Sequence, residues 1–330
     1  MRRRKKQYND YLGMEEQKDN IFKIIQTQLK NPPVIIWGSG ATIPFGLPSM
    51  GTLTEVLKNN IADFDKECEN LEVELGKEKY QGKMPEIKRL IWDTVSQKDE
   101  KVLDEIINDY SAKYKGIELL AKKFIDTHPR LLNIITTNYD RVLEHVLAYS
   151  GIPYSDGFSG KNLSIFSENS FPSENIVNLI KVHGSLNWFL LDGDIRYLGK
   201  NENYEPQIIC PGRNKFQEAY SSPYRELIQK SDSYINNAMS FLVVGFGFND
   251  EHLTPKIRPR VKMGIPIIVI TKTISESSFK ELEQAERYVL MEEADANKTR
   301  VIYKENVKSS KKELIIEGSY WSLNNFIEII

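Results

Sequence analysis

The residues of this chain best equipped for chemistry sit where four apolar runs end. Val34–Trp37 is followed by Gly38-Ser39-Gly40-Ala41-Thr42 and then by Gly46-Leu47-Pro48-Ser49. A second run, 131–135, passes into Thr136-Thr137-Asn138-Tyr139-Asp140. Val182 leads into His183-Gly184-Ser185, and Val244 into Gly245-Phe246-Gly247. Each motif has its own competence. Glycines let backbone N–H groups approach an anion such as a diphosphate. An asparagine amide both donates and accepts, so it can orient a polar group. A histidine, with an ordinary pKa near ~6.5, exchanges protons at neutral pH. Taken singly the motifs stay ambiguous. A glycine pair also serves a plain turn, Asn138 and Asp140 are also good helix caps, and His183 also reads as a buried core residue. Ile43 stands where the dinucleotide fingerprint requires its third glycine, so that fingerprint is incomplete. His145 and His252 fall in helical segments and His128 in a Thr-His-Pro turn, and no pair of histidines has metal-ligand spacing.

Composition narrows the field. At 330 residues, with 40% hydrophobic and 27% charged side chains, the chain suits one sizeable globular core. A net charge of −2 gives no overall attraction to nucleic acid or to acidic membranes. The basic stretch Arg2 to Lys6 reads as a solvated terminus. Only Cys68 and Cys210 occur, without a Cys-x-x-Cys pair, which excludes a zinc ribbon and a disulfide framework. No apolar run approaches the ~18 residues of a membrane span, and a signal-peptide core is missing, so a cytoplasmic home is expected.

The motifs need elements to hold them. Ile21, Ile24, Ile25 and Leu29 share one helical face, a lead-in helix before the first strand. Residues 52–130 carry apolar residues at helical spacing, as in Ile87, Leu90, Ile91 and Val102, Leu103, Ile106, Ile107, with a loop over 81–85. Strand-like runs then return at 131–136, 176–182, 241–246, 265–271 and, as the last, 300–303. Helical patterns lie at 141–149, 251–263, 276–291 and 322–330, and Asp192-Gly193-Asp194 marks a hairpin. The expectation is an α/β fold: a doubly wound, Rossmann-like parallel sheet in a single domain, 1–330, with an all-helical insertion at 52–130 after the first strand. Ligands of such sheets bind beyond the carboxyl ends of the strands, where the four motifs should converge.

In order and type these motifs resemble the sirtuin family, whose members carry Gly-Ala-Gly-x-Ser…Gly-Ile-Pro, Thr-x-Asn-x-Asp, a His-Gly and a late Gly-rich strand end. Two departures matter. Sirtuin deacylases insert a four-cysteine zinc module, which this chain cannot build, and carry Asp-Phe-Arg where Ser49-Met50-Gly51 stands here. With Asn138-Tyr139-Asp140 and the helical insertion, the chain is similar to the sirtuin-like NAD hydrolases of bacterial antiphage defence. That resemblance implies cleavage of the nicotinamide–ribose bond of NAD+, without a metal. It implies that amides of Gly38, Ser39, Gly40, Ala41 and Thr42 hold the diphosphate, and that Pro48 and Ser49 arch over the nicotinamide ribose. Asn138 would orient the attacking water and His183 act as general base. Asp140, with Thr137 beside it, would meet the carboxamide or a ribose hydroxyl or else support the loop, while Gly245, Phe246 and Gly247 admit the adenosine side. A homo-oligomer is implied, as is a HerA-type DNA-translocating ATPase partner, with no membrane and no direct nucleic-acid contact; the stretch 53–130 would be the surface for that partner or, equally, a lid over the NAD pocket. The same motifs also suit an NAD-dependent protein deacylase or a non-catalytic subunit binding NAD or ADP-ribose.

Overall fold

A computed structural model of the chain describes residues 2–160, 162–199, 203–212 and 221–330, with side chains from residue 15 onward. It divides into two compact units, one made of Met1–Ile36 with Ile235–Ile330 and the other of Trp37–Tyr234. Helix α1 (Arg2–Gln28) buries Ile21 and Ile25, and Leu29 just beyond its end is buried with them, the lead-in face expected from their spacing. Strand β1 (Val34–Trp37), buried throughout, then carries the chain from the first unit into the second.

In the second unit every regular element described between β1 and residue 130 is helical: α2 (Met50–Asn60), α3 (Leu71–Leu75), α4 (Met84–Asn108) and α5 (Lys115–Ile125). Helix α2 begins where the Ser49 hydroxyl accepts from the Thr52 amide, so α2 is capped in the ordinary way. The stretch read as a loop at 81–85 instead continues a 3-10 turn, Glu78–Lys83, straight into α4, whose first turn accommodates Pro85. One face of α4 is buried from Ile87 through Ile91, Val95 and Val102 to Ile106, and Trp92 Nε1 donates to the Leu186 carbonyl at 2.9 Å. Strand β2 (Leu131–Thr136) is followed by α6 (Val142–Tyr149), β3 (Tyr154–Ser155) and β4 (Ile176–Lys181). β2 and β4 pair in parallel, with Thr136 opposite Lys181, so the turns that leave them start side by side. Strands β5 (Gly184–Leu191), β6 (Asp194–Tyr197) and β7 (Glu205–Ile208) form a separate antiparallel sheet. Asp192 and Gly193 both take positive φ, the type I′ geometry that the Asp-Gly pair predicts.

Helix α7 (Tyr224–Asn237) leads back to the first unit, where β8 (Phe241–Val244), α8 (Thr254–Lys262), β9 (Ile267–Ile270), α9 (Glu276–Leu282) and β10 (Tyr288–Asp295) alternate. β8 pairs β9 and β9 pairs β10, both in parallel. This is the α/β arrangement the sequence predicts, with three corrections. The helix expected over 276–291 stops at Leu282, and Tyr288 to Met291 lie in β10. A wholly apolar run has no period to separate helix from strand, and pairing with β9 decides it. Nor is 300–303 the last strand: β11 (Lys298–Lys304) is followed by β12 (Lys312–Glu317), both antiparallel. The short α10 (Leu323–Phe326) and a 3-10 turn, Ile327–Ile329, replace a longer closing helix.

Gly184 shows how tightly the turn after β4 is fixed. Its φ is +83°, and an added Cβ would sit 2.2 Å from the Gln207 carbonyl oxygen on β7. Gly184→Ala should therefore lose more than the about 1–3 kcal/mol of the left-handed backbone alone. Gly82→Ala, where nothing lies within 4 Å, should be close to neutral. Urea unfolding of both variants checks this; equal stabilities would contradict the packing described.

Candidate active site

Three segments of the second unit are sewn together at the carboxyl ends of β1, β2 and β4. Thr136, the last residue of β2, donates its hydroxyl to the Trp37 carbonyl at 2.8 Å and accepts from the Asn138 amide N–H at 3.0 Å. Asn138 then reaches back across the junction. Its Nδ2 donates to the Gly38 carbonyl at 3.2 Å and to the Thr42 hydroxyl at 3.3 Å. A carbonyl only accepts, so the amide nitrogen must face Gly38, and Oδ1 is left as the acceptor of this side chain. The Thr42 hydroxyl lies 3.2 Å from both the Ser39 carbonyl and Asp140 Oδ2. Asn138, Thr42 and Asp140 are all buried.

The glycine turn differs in detail from expectation. Gly38 leaves β1 in extended geometry, and neither it nor Gly40 has a positive φ. The chain instead coils through two 3-10 turns, Ser39–Ala41 and Ile43–Phe45, and the left-handed residue is Gly46, at φ +95°. The Ala41 and Thr42 amides are spent inside this coil on the Gly38 and Ser39 carbonyls, at 3.0 and 3.1 Å. Pro48 is half-buried, and Ser49 serves as the cap of α2.

Asp140 uses both of its carboxyl oxygens within the protein. Oδ1 accepts from the Val142 amide at 3.3 Å, at the start of α6, while Oδ2 meets Thr42. Its carboxyl is pushed up to about 6, first by burial and then by the neighbouring Asp99 and Glu144 charges, with Lys181 opposing. Two buried ion pairs flank it. Asp99 on α4 accepts from the Arg141 amide at 2.6 Å and pairs with the Arg141 guanidinium and with His145 Nε2 at 3.1 Å. Burial alone would raise the Asp99 carboxyl, but His145 and Arg141 outweigh it and hold the group at about 2. Lys181 pairs with Glu144 at 2.5 Å. His145 is thus structural, and His128 is exposed, as their places in the sequence suggest. His183 is buried between β4 and β5, next to the turn that carries Asn138. Its carbonyl accepts from the Ile209 amide at 2.9 Å, the Ile209 carbonyl accepts from the Tyr139 hydroxyl at 2.6 Å, and the Leu186 amide donates to the Tyr139 carbonyl at 3.0 Å.

Gly38, Ser39, Thr42, Asn138 and Asp140 therefore share one network, with Thr137 half-buried within the same turn and the His183 segment bonded to Tyr139. Gly245, Phe246 and Gly247 belong to the first unit. There Gly245 has φ +58°, Phe246 packs edge-on to Phe248 at 5.3 Å, and the Gly247 carbonyl accepts from Ser278 at 2.7 Å. Sequence reasoning missed Lys181, Glu144, Asp99 and Arg141. The signal was there for Lys181, one charged residue in the run Leu179-Ile180-Lys181-Val182. Among the described residues no group of three or more His, Cys, Asp or Glu could hold a metal ion, and no helix is long and apolar enough to cross a membrane.

Residues 132–258 match the family model described as a SIR2-like domain. That match takes in Asn138, Asp140, His183 and Gly245 to Gly247 but begins after the glycine turn. No curated relative matches the chain. Solved structures similar to it include a Sir2 homologue–NAD complex, at 16% identity over 78% of this chain and 82% of that one, with a TM-score of 0.46. Another, described as the structural basis for the mechanism and regulation of Sir2 enzymes, is 13% identical over 81% of this chain and 98% of that one, TM-score 0.43.

The Asp140 environment makes a pH prediction. A folded value near 6 against an ordinary 3.8 means that the folded state holds this proton more tightly than the unfolded one. The stability this proton contributes is complete below the ordinary value and is lost as pH rises through 6, on the order of 3 kcal/mol in all. Asp140→Asn does not titrate, so its melting temperature should rise relative to the parent between pH 4 and pH 8. A difference independent of pH would show that the carboxyl is not held up.

Proposed function

We propose that this site hydrolyses NAD+ at the nicotinamide–ribose bond. The balanced reaction is NAD+ and water giving nicotinamide, ADP-ribose and a proton. The observation that carries the reading is the Asn138 amide locked to the Gly38 carbonyl and to Thr42, in a turn bonded to the His183 segment. With both amide protons engaged, Asn138 Oδ1 is fixed as an acceptor for the attacking water or a ribose hydroxyl. The match of 132–258 to the SIR2-like domain family suggests an NAD-dependent enzyme and is consistent with that use of the site.

Nicotinamide departs as a neutral base from a cationic ring, so positive charge builds on the ribose as the bond lengthens. Asn138 positions the water on the opposite face, and His183 takes its proton as the new C–O bond forms, a contribution of about 10²–10⁴-fold. Asp140 supports Thr42 and the ribose end, the backbone N–H groups of the Gly38–Thr42 turn other than those of Ala41 and Thr42 face the diphosphate, and Pro48 and Ser49 border the nicotinamide ribose. Nothing in this scheme requires a metal or an acyl-peptide, which separates it from deacylation. The chain acts in the cytoplasm as an NAD-depleting effector of antiphage defence, as a homo-oligomer paired with a HerA-type ATPase through 53–130. Such a pairing would keep a reaction harmful to the cell idle until it is triggered.

The test is nicotinamide release from NAD+ alone by the parent, Asn138→Ala and His183→Ala, each with and without the ATPase. Both variants should fall at least about 10²-fold below the parent while remaining folded. Turnover that needs an acyl-lysine peptide would identify a deacylase. NAD+ binding without turnover, in every assembly, would identify a regulatory subunit.

A further inference from the structure

Lys181 is the most deeply buried cation beside the site, 1% exposed, and the reaction just described makes no use of it. An ammonium has three protons to donate. Here each has an acceptor: the Asp140 carbonyl at 2.6 Å, Glu144 Oε1 at 2.5 Å and the Tyr139 carbonyl at 3.4 Å. Two of the three are consecutive main-chain carbonyls of the turn that carries Asn138 and Asp140. The parallel register sets this up, because Lys181 stands opposite Thr136, two residues before Asn138.

We propose that Lys181 is a positioning residue of the site: its ammonium fixes the Tyr139 and Asp140 carbonyls and so aims the Asn138 amide at Gly38 and Thr42. Glu144, on α6, holds the ammonium in place. The proposal rests on the NAD+ reading for its kinetic consequence but not for its structural one. A buried ion pair can also be mere ballast, since exchange of both partners for neutral residues of similar volume is often tolerated. The two roles part company over the carbonyls. Removing the ammonium leaves two of them without a charged donor. Removing only the Glu144 charge leaves them served, because a glutamine oxygen still accepts from Lys181.

The test compares Glu144→Gln, Lys181→Met and the neutral pair Lys181→Met with Glu144→Gln in the full chain, by NAD+ kinetics and by amide hydrogen exchange across 136–145. Glu144→Gln, which leaves the ammonium without its counter-charge, should lower global stability but keep kcat within about threefold and keep exchange in 136–145 slower than in Lys181→Met. Lys181→Met and the neutral pair should lower kcat about 10- to 100-fold with KM little changed, the effect of a reacting group misplaced by about 1 Å. Exchange should quicken in 136–145 while other segments of the second unit stay protected. If the neutral pair matches the parent in exchange and turnover, or if Glu144→Gln falls as far as Lys181→Met, the positioning role is wrong. Should the parent release no nicotinamide, the exchange contrast still decides, so a failure of the NAD+ reading is told apart from a failure of this one.

Discussion

The hydroxyl of Thr42 is the point through which the rest of the site is held. It accepts from Asn138 on one side and faces the Asp140 carboxyl on the other. One small side chain thus ties the coil after β1 to the turn after β2, about a hundred residues further along the chain. Asn138 must present its nitrogen, because the Gly38 carbonyl only accepts, and the single Thr42 proton is shared between the Ser39 carbonyl and Asp140 Oδ2. Leaving one of these buried polar groups unmatched costs about 1–3 kcal/mol, enough to specify the arrangement but not enough to make it a main source of stability.

Asp140 is held there at the expense of its own ionisation. Burial raises its carboxyl, and the Asp99 and Glu144 charges raise it further. The chain surrounds this costly group with matched pairs rather than with apolar side chains. Arg141 and His145 answer Asp99, and Lys181 answers Glu144. Each pair also anchors backbone: Asp99 takes the Arg141 amide, and Lys181 takes the Asp140 and Tyr139 carbonyls. Buried ion pairs contribute little net stability but tolerate only one geometry. At a turn that must aim two side chains, that intolerance is useful.

Much of this was legible before any coordinates. The apolar runs that became β2, β4, β8 and β9, the Asp192-Gly193 hairpin and the buried face of α1 follow from periodicity and turn chemistry. The residue types that cluster at the strand ends were legible as well. The failures have physical reasons. Tyr288 to Met291 are buried on all sides, so their pattern has no polar face to betray a strand. β12 reads Lys-Glu-Leu-Ile-Ile-Glu, an edge strand whose charged residues hide its pairing. The glycine turn was read correctly as a turn, but its left-handed position is Gly46, which no count of glycines distinguishes from Gly38. Lys181 and Glu144 lie 37 positions apart, and only the parallel register makes them neighbours.

That register also explains why the Asn-Tyr-Asp and His-Gly motifs work as a pair. β2 and β4 end level with one another, so the two turns leave the sheet at the same height. Tyr139 then closes the gap twice, by its hydroxyl to Ile209 and by its carbonyl to the Leu186 amide. The His183 carbonyl is held by the Ile209 amide, and Gly184, pressed against Gln207, leaves the histidine no freedom to slide along β7. Each contact is ordinary in isolation. Their order along the chain is what matters, because a one-residue slip of β4 against β2 would turn Lys181 to the other face and strand its charge. The buried lysine therefore acts as a register lock: the pairing that satisfies its ammonium is the pairing that brings the asparagine and histidine turns together.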